Sequence, residues 1–137
     1  MKSRAIIYKE DKFRVHSLTG HFDFDILFNE LKNVYDDPNF DPDLNSVWDF
    51  SDVSDLEKVT PDQIQKIVSF VSWKRSRYKG MRTALVVSSK VHYGIARIYE
   101  LSLESATKNN VMVFKNLDQA IDWIKSTSPS LPGQSSV

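Results

Sequence analysis

The spacing of apolar residues predicts a β-hairpin and then a helix in the first third of the chain. The β-prone runs Arg4 to Glu10 and Phe13 to Thr19 are separated by the turn-forming pair Asp11-Lys12. After Gly20, apolar residues recur at helical intervals, and Asp37-Pro38 ends this pattern. The stripe of the predicted first helix consists of Phe24, Leu27, Phe28, Leu31, Val34 and Tyr35.

The second helix has the clearest start in the sequence. Thr60 is its predicted N-cap, Pro61 suits the first helical position, and Gln63 completes a capping box with Thr60. We expect Gly80 to end the element. Its inner, apolar stripe consists of Ile64, Ile67, Val68 and Val71.

Three further strands and two further helices complete the pattern. The strands are predicted over Ser46 to Phe50, Arg82 to Val87 and Asn110 to Phe114. The unbroken apolar run Ala84 to Val87 is typical of a central parallel strand that is covered on both faces. The third helix is predicted to pack through Val91, Ile95, Ile98 and Ser102. The fourth, capped by Asn116, is predicted to pack through Leu117, Ala120, Ile121 and Ile124.

The predicted order of elements is β-β-α-β-α-β-α-β-α. It implies an α/β fold, in which helices pack on a mixed, mostly parallel sheet and the hairpin forms an antiparallel edge. The 137 residues suffice for one domain, which we assign to residues 1–126. Residues 127–137 have no periodicity, and we expect them to form a disordered tail.

Three segments carry a family resemblance: VWDFSDVSDLEKVTPDQI, RTALVVSSKVHYGIARIYEL and NNVMVFKNLDQAIDWI. Together with the preceding hairpin and helix, they resemble the SpoIIAA-like, or STAS/SEC14-type, group of small bacterial α/β domains. The resemblance covers nearly everything from Arg4 to Ile124. It implies the SpoIIAA/STAS-like fold far more firmly than any function.

The better-known relatives are anti-sigma-factor antagonists, in which a serine within Asp-Ser-Ser/Thr-Gly is phosphorylated at the start of the helix after the third strand. In this chain the motif would fall on Glu57-Lys58-Val59-Thr60. Lys58 stands at the phospho-acceptor position and the glycine is missing. The resemblance therefore does not carry the sigma-factor switch over to this protein.

The composition excludes several classes of protein. The chain has no cysteine, which rules out disulfides and thiolate chemistry. No span reaches the ~20 apolar residues of a membrane helix, and the first residues do not form a signal peptide, so we expect a cytoplasmic protein. The pI near 6.8 argues against a dedicated nucleic-acid binder. We expect no cofactor, since no motif for one is present.

The neutral net charge conceals an uneven distribution of charges. From Asp23 to Asp62 the chain has twelve acidic residues and two basic ones, whereas from Gln63 to Arg97 it has eight basic residues and no acidic one. The fold could bring the two blocks together so that they screen each other. Alternatively, the molecule has an acidic and a basic face, suited to head-to-tail contacts or to an anionic partner.

One candidate site is an acidic loop predicted at the end of the third strand. Closely spaced carboxylates bind divalent cations through oxygen ligands or accept a phosphoryl group. The alternative, which we favour, is a turn in which Asp and Ser side chains bond nearby backbone amides, with no metal. The candidate residues are Asp49, Ser51, Asp52, Ser54 and Asp55.

A second candidate site is the loop that opens the third helix, Ser88, Ser89, Lys90 and His92. Amides at a helix start favour anions, and the lysine and histidine would add charge. The alternative is that one serine caps the helix while the basic residues meet water. A catalytic pair of Ser51 or Ser88 with His21 or His92 has no sequence signature, and we predict no catalytic residues.

The third candidate is an interaction surface on the second helix. Lys66, Phe70, Trp73 and Arg77 lie on the side away from the inner stripe, by the ~100° turn per helical residue. Aromatic residues and arginine are enriched at interface anchors. The alternative is that a neighbouring helix or the disordered tail covers the rings.

These features favour a non-enzymatic protein-interaction or regulatory module, with a homodimer as one form of the contact. The alternative is a carrier or sensor of a small anionic or amphipathic ligand near Ser88 to His92; a hydrolase is the weakest hypothesis. An interaction module predicts an exposed aromatic patch without a deep cavity. A ligand carrier predicts an apolar pocket of at least ~300 Å³.

Overall fold

The computed structural model describes residues 1–78, 80–107 and 110–126. Five strands form one sheet in the order β1-β2-β3-β4-β5, in which β1 is antiparallel to β2 and the other pairs are parallel. The strands are β1 Lys2–Tyr8, β2 Phe13–His21, β3 Asn45–Ser54, β4 Thr83–Val86 and β5 Val111–Phe114. The helices are α1 Phe24–Asp36, α2 Pro61–Arg75, α3 Lys90–Thr107 and α4 Leu117–Lys125, with a 3₁₀ turn at Leu56–Lys58. The predicted order and fold class are confirmed.

Local capping bonds fix where the helices begin. Asp23 accepts a bond from the amide of Ile26 at 3.0 Å and so caps α1. The predicted capping box of α2 is formed in both directions, between Thr60 and Gln63, at 3.1 and 3.0 Å. Asn116 caps α4 as predicted, by accepting from the Gln119 amide. Each cap satisfies a backbone donor that the first helical turn leaves free.

The helices cover the two faces of the sheet unequally. Helices α1, α2 and α3 pack on one face, around Leu31, Trp48 and Leu103. Of the described helices, α4 packs on the opposite face, around Val47 and Trp123. Val86 and Val87, at and after the end of β4, are 1% and 0% exposed and belong to opposite cores. The prediction of a central strand covered on both faces is confirmed.

Several predicted strand and helix ends were wrong, and strand β1 covers Lys2–Tyr8 rather than Arg4 to Glu10. Strand β3 continues past Phe50 to Ser54, and β2 continues past Thr19 to His21. The two strands stay paired to these ends because the register shifts between Ser17 and Thr19. Helix α2 ends at Arg75, several residues before Gly80. Residues 127–137, predicted to be a disordered tail, lie outside the described residues.

The packing face of α3 also differs from the prediction. Val91 and Ile98 are 61% and 54% exposed, and Ser102 is exposed as well. The core is instead contacted by a stripe shifted by one residue, which includes Tyr99 and Leu103. This orientation buries a tyrosine ring and a leucine, which offer more apolar area than Val91 and Ser102 would. A helix with two overlapping apolar stripes does not reveal from spacing alone which one is buried.

Candidate functional site

The acidic candidates lie on strand β3 and the residue that follows it, not in a loop. Asp49 accepts bonds from the amide and hydroxyl of Ser51, at 2.9 and 2.6 Å, as the self-bonding interpretation predicts. Asp52 is exposed, and Asp55 lies 3.7 Å from the Lys58 ammonium. Within the described ranges, no group of three acidic or histidine side chains is arranged to hold a metal ion.

His21, Ser54 and Asp55 meet where β2 and β3 end. The Ser54 hydroxyl is 2.8 Å, and an Asp55 carboxylate oxygen 3.1 Å, from the same ring nitrogen of His21, Nδ1. A serine–histidine–aspartate relay needs the hydroxyl and the carboxylate on opposite ring nitrogens, so that one accepts a proton while the other holds one. This cluster therefore lacks the geometry of a catalytic relay. The serine that is hydrogen-bonded to His21 is Ser54 and not Ser51, whose hydroxyl donates to Asp49 instead.

The second candidate loop is organised by a cap and an ion pair. Ser89 accepts a bond from the His92 amide at 3.1 Å and caps α3. The His92 ring lies 2.7 Å from the Glu57 carboxylate of the 3₁₀ turn, while Ser88 and Lys90 are exposed. Hydrogen bonds from its own backbone and from His92 lower the pKa of Glu57. An incoming anion would therefore have to compete with Glu57 for the His92 ring. The sequence did not suggest the contact between Glu57 and His92.

The candidate interface residues Lys66, Phe70 and Trp73 lie on α2, whereas Arg77, predicted on the same helix, lies in the turn two residues past its end at Arg75. They are divided between the surface and the contact of α2 with α1. Trp73 is 53% exposed, and both Lys66 and Arg77 are exposed. Phe70 is only partly accessible, because its ring packs edge-on against Phe28 at 5.7 Å and against Tyr35 at 6.0 Å. Helix α1 therefore covers Phe70, whereas Trp73 stays exposed; the tail, the other predicted cover, lies outside the described residues.

Phe70 belongs to a run of rings along α1, α2 and the adjoining loops, which we call the aromatic seam. Neighbouring ring centroids are 5.2–6.0 Å apart. Its rings, in order of contact, are Phe24, Phe28, Phe70, Tyr35, Phe40 and Tyr78. Sequence reasoning missed the seam because its rings come from three separate segments. The spacing of Phe24 and Phe28 did place these two rings on one helical face.

Cations border the seam and the exposed tryptophan. The Lys74 ammonium is 4.7 Å and the Arg77 guanidinium 4.5 Å from the centroid of Trp73. Lys66 lies 6.0 Å from the centroid of Phe24, within the range of a cation–π contact. Lys74 also forms an ion pair with Asp36 of α1. Trp73 is therefore an exposed aromatic ring on the outer face of α2 with two cations against it.

Three arginines that appear as surface charges in the sequence are buried. Arg14 donates to Ser46 and to the carbonyls of Asp41 and Leu44, at 2.8–2.9 Å. Arg82 donates to the carbonyls that end α4, and Arg75 donates to Thr83 and the Met81 carbonyl. Burial lowers the pKa of Arg14 and Arg82. Arg75 and Arg82 belong to the basic block from Gln63 to Arg97, so that block is partly structural and a basic face would be smaller than the sequence suggests.

An apolar cavity of about 90 Å³ lies between the sheet and helices α1–α3. Trp48, Phe50, Ala96 and Tyr99 are among its lining residues. Burial raises the pKa of the Tyr99 hydroxyl, which therefore stays neutral. The volume is well below the ~300 Å³ expected of a small-molecule site.

The sequence matches no family model, and it has no significant match among curated proteins. None of the described helices is both long and apolar enough to cross a membrane. A crystal structure of an uncharacterised DUF3478-family protein from Shewanella loihica PV-4, described as having a SpoIIAA-like fold, is similar to this chain. The two are 12% identical with a TM-score of 0.54, over 90% of this chain and 92% of the other. The similarity and the sheet order show that the protein has a SpoIIAA-like α/β fold.

Proposed function

We propose that this protein is a non-enzymatic interaction module and that its partner binds the outer face of α2. The observation that carries the proposal is the exposure of Trp73, which is 53% accessible while cations stand over its ring. Tryptophan and arginine are the residues most enriched among interface hot spots. Burying this exposed indole against a partner is favourable, because it removes apolar surface from water.

The charges around Trp73 indicate the chemistry of the partner. Lys66 on α2 and Arg77 just past its end are both exposed, and the Arg77 guanidinium and the Lys74 ammonium both lie against the Trp73 ring. A partner surface with an apolar centre and acidic residues around it would complement this arrangement. The lack of catalytic geometry at His21 and the small size of the cavity support binding over catalysis or small-ligand transport.

Replacing Trp73 by alanine should weaken partner binding by about 2 kcal/mol, roughly 30-fold, and leave the free energy of unfolding nearly unchanged. The reason is that the ring is exposed in the isolated chain and would be buried only in the complex. The measurement is quantitative affinity capture from cells that express the protein, followed by titration of the captured partner against each variant.

Ile98→Ala is the matched control, because Ile98 is 54% exposed on a different helix. Urea unfolding checks the fold of each variant. Phe70 is left unchanged, since its truncation would open the seam against Phe28 and Tyr35 and confuse binding with stability. Equal partner affinity in Trp73→Ala and wild type would contradict the proposal.

The second candidate function, a carrier of an amphipathic ligand, is favoured by the apolar walls of the cavity. At about 90 Å³ the cavity holds the end of an alkyl chain and not a whole lipid. If the carrier proposal is correct, dodecanoate should change the tryptophan fluorescence saturably, because Trp48 lines the cavity. Ala96→Phe should abolish the change by filling the cavity. Ser102→Phe, on the exposed side of α3, is the control. No saturable change in the wild type would exclude this candidate.

A further inference from the structure

Strand β1 is an edge strand with little protection. It pairs with β2, and no strand of the described chain lies on its other side. All seven of its residues are exposed. Its second half is apolar, with Ile6, Ile7 and Tyr8 exposed by 40%, 54% and 43%. Consecutive apolar side chains on an open edge are a template for pairing with another strand.

We propose that β1 pairs antiparallel with β1 of a second copy of this chain, about a two-fold axis at Ile6. The two sheets would then form one continuous sheet of ten strands. Backbone hydrogen bonds along both edges and the apolar side chains would hold the dimer together. This self-association uses a surface separate from the α2 face, so it does not depend on the proposed function.

The faces of β1 restrict the registers that a symmetric pairing allows. Ile6 and Tyr8 are paired with Val15 and Phe13, which belong to the core on the α4 face. Directly opposed residues of antiparallel strands share a face of the sheet. A two-fold axis perpendicular to the sheet leaves every side chain on its own face. Opposed residues therefore share a face when the axis passes through a residue, because the two members of each pair are then an even number of positions apart. Among the residues of β1, only Ala5, Ile6 and Ile7 are axis positions that also bring all of residues 6–8, the apolar half of the strand, into the pairing.

Side-chain complementarity selects Ile6 among these three positions. An axis at Ile6 opposes Ile6 to itself, Ala5 to Ile7 and Arg4 to Tyr8, so that apolar residues meet apolar ones and a cation meets a ring. An axis at Ala5 would also oppose a cation to a ring, Lys2 to Tyr8, but it would set both isoleucines against polar residues, Ile6 against Arg4 and Ile7 against Ser3. An axis at Ile7 would pair only residues 6–8, because β1 ends at Tyr8.

The chain has no cysteine, so single cysteines report the register directly. In Ile6→Cys the two Cβ atoms would be about 5 Å apart across the axis, close enough for a disulfide after a small adjustment. In Ala5→Cys and Ile7→Cys the equivalent atoms would be about 8 Å apart, which is too far. Under mild oxidation we expect Ile6→Cys to cross-link at least tenfold faster than the other two. Faster cross-linking of either of the other two would overturn the register.

Sedimentation of the full chain tests the association itself. We expect wild type to be dimeric at about 100 µM, a concentration at which even modest affinity gives association. Ile6→Lys, which opposes two ammonium groups at the axis, should raise the dimer dissociation constant at least tenfold. Ile98→Lys, at a position of α3 that is 54% exposed, should not change it, and circular dichroism checks that each variant is folded.

Ile7→Lys provides a second variant if Ile6→Lys does not fold, since Ile7 is the most exposed apolar residue of the strand. A wild-type chain that stays monomeric at this concentration would overturn the proposal. So would a dimer that both lysine variants leave intact. Loss of partner binding in Trp73→Ala has no bearing on either outcome, which keeps this test distinct from that of the proposed function.

Discussion

Val86→Asp should destabilise the protein by more than about 4 kcal/mol, so that little cooperative unfolding remains at 25 °C. Val86 is 1% exposed and packs in the core between the sheet and α4, with Trp123 and Ile124. A carboxylate there loses its hydration and either stays charged without a partner or takes up a proton. Domains of this kind are typically stable by only ~5–15 kcal/mol, so this loss is large. Urea unfolding followed by tryptophan fluorescence measures it.

Two controls separate the buried charge from ordinary loss of packing. Val86→Ala removes apolar contacts without adding charge and should cost about 1–3 kcal/mol, leaving a folded protein. Ile98→Asp places the same carboxylate on an exposed position of α3 and should have little effect. A Val86→Asp protein with the wild-type urea midpoint would show that β4 is not the central strand described.

The fold could be predicted because its signals are local. The capping box at Thr60 and Gln63, and the apolar run through Val86 and Val87, depend on neighbouring residues, and they formed as expected. The face of α3 could not be predicted, because Ile98 and Tyr99 belong to alternative stripes. Only the packing of the neighbouring elements decides which stripe is buried.

The candidate site was less predictable because its contacts join distant segments. His92 meets Glu57, and Lys74 meets Asp36, across 35 and 38 residues of sequence. The arginines mislead in another way. Arg14 and Arg82 donate largely to backbone carbonyls, which every sequence possesses. No acidic residue in the sequence therefore indicates that these arginines are buried. Trp73 was predictable as an outward residue, since its position depends only on the helical period.

His16 should make the protein less stable as the pH falls from about 6.5 to 4. Its ring is buried on the face opposite α4 and stacks on Trp48, with centroids 4.0 Å apart. Neither ring nitrogen has a hydrogen-bond partner among the described residues. Burial, and secondarily the positive charge of Arg14, lower the pKa of His16 from 6.5 to about 4. The buried ring is therefore neutral at physiological pH.

The sign of the effect follows from proton uptake by the two states. Between pH 6.5 and 4 the unfolded chain binds a proton at His16 that the folded chain does not, so acidification favours unfolding. The shift corresponds to a loss of about 3 kcal/mol, complete once the pH is below the folded pKa. Above pH 6.5 both states hold a neutral ring, and His16 no longer contributes to the pH dependence.

Urea unfolding of wild type and His16→Phe at several pH values isolates this contribution. Phenylalanine keeps an aromatic ring against Trp48 but cannot bind a proton, so its free energy of unfolding should fall less on acidification. All other titrating groups are common to both proteins and cancel in the difference. That difference should grow by up to about 3 kcal/mol between pH 7 and pH 4. Parallel pH profiles for the two proteins would mean that His16 takes up its proton equally readily in the folded and unfolded states.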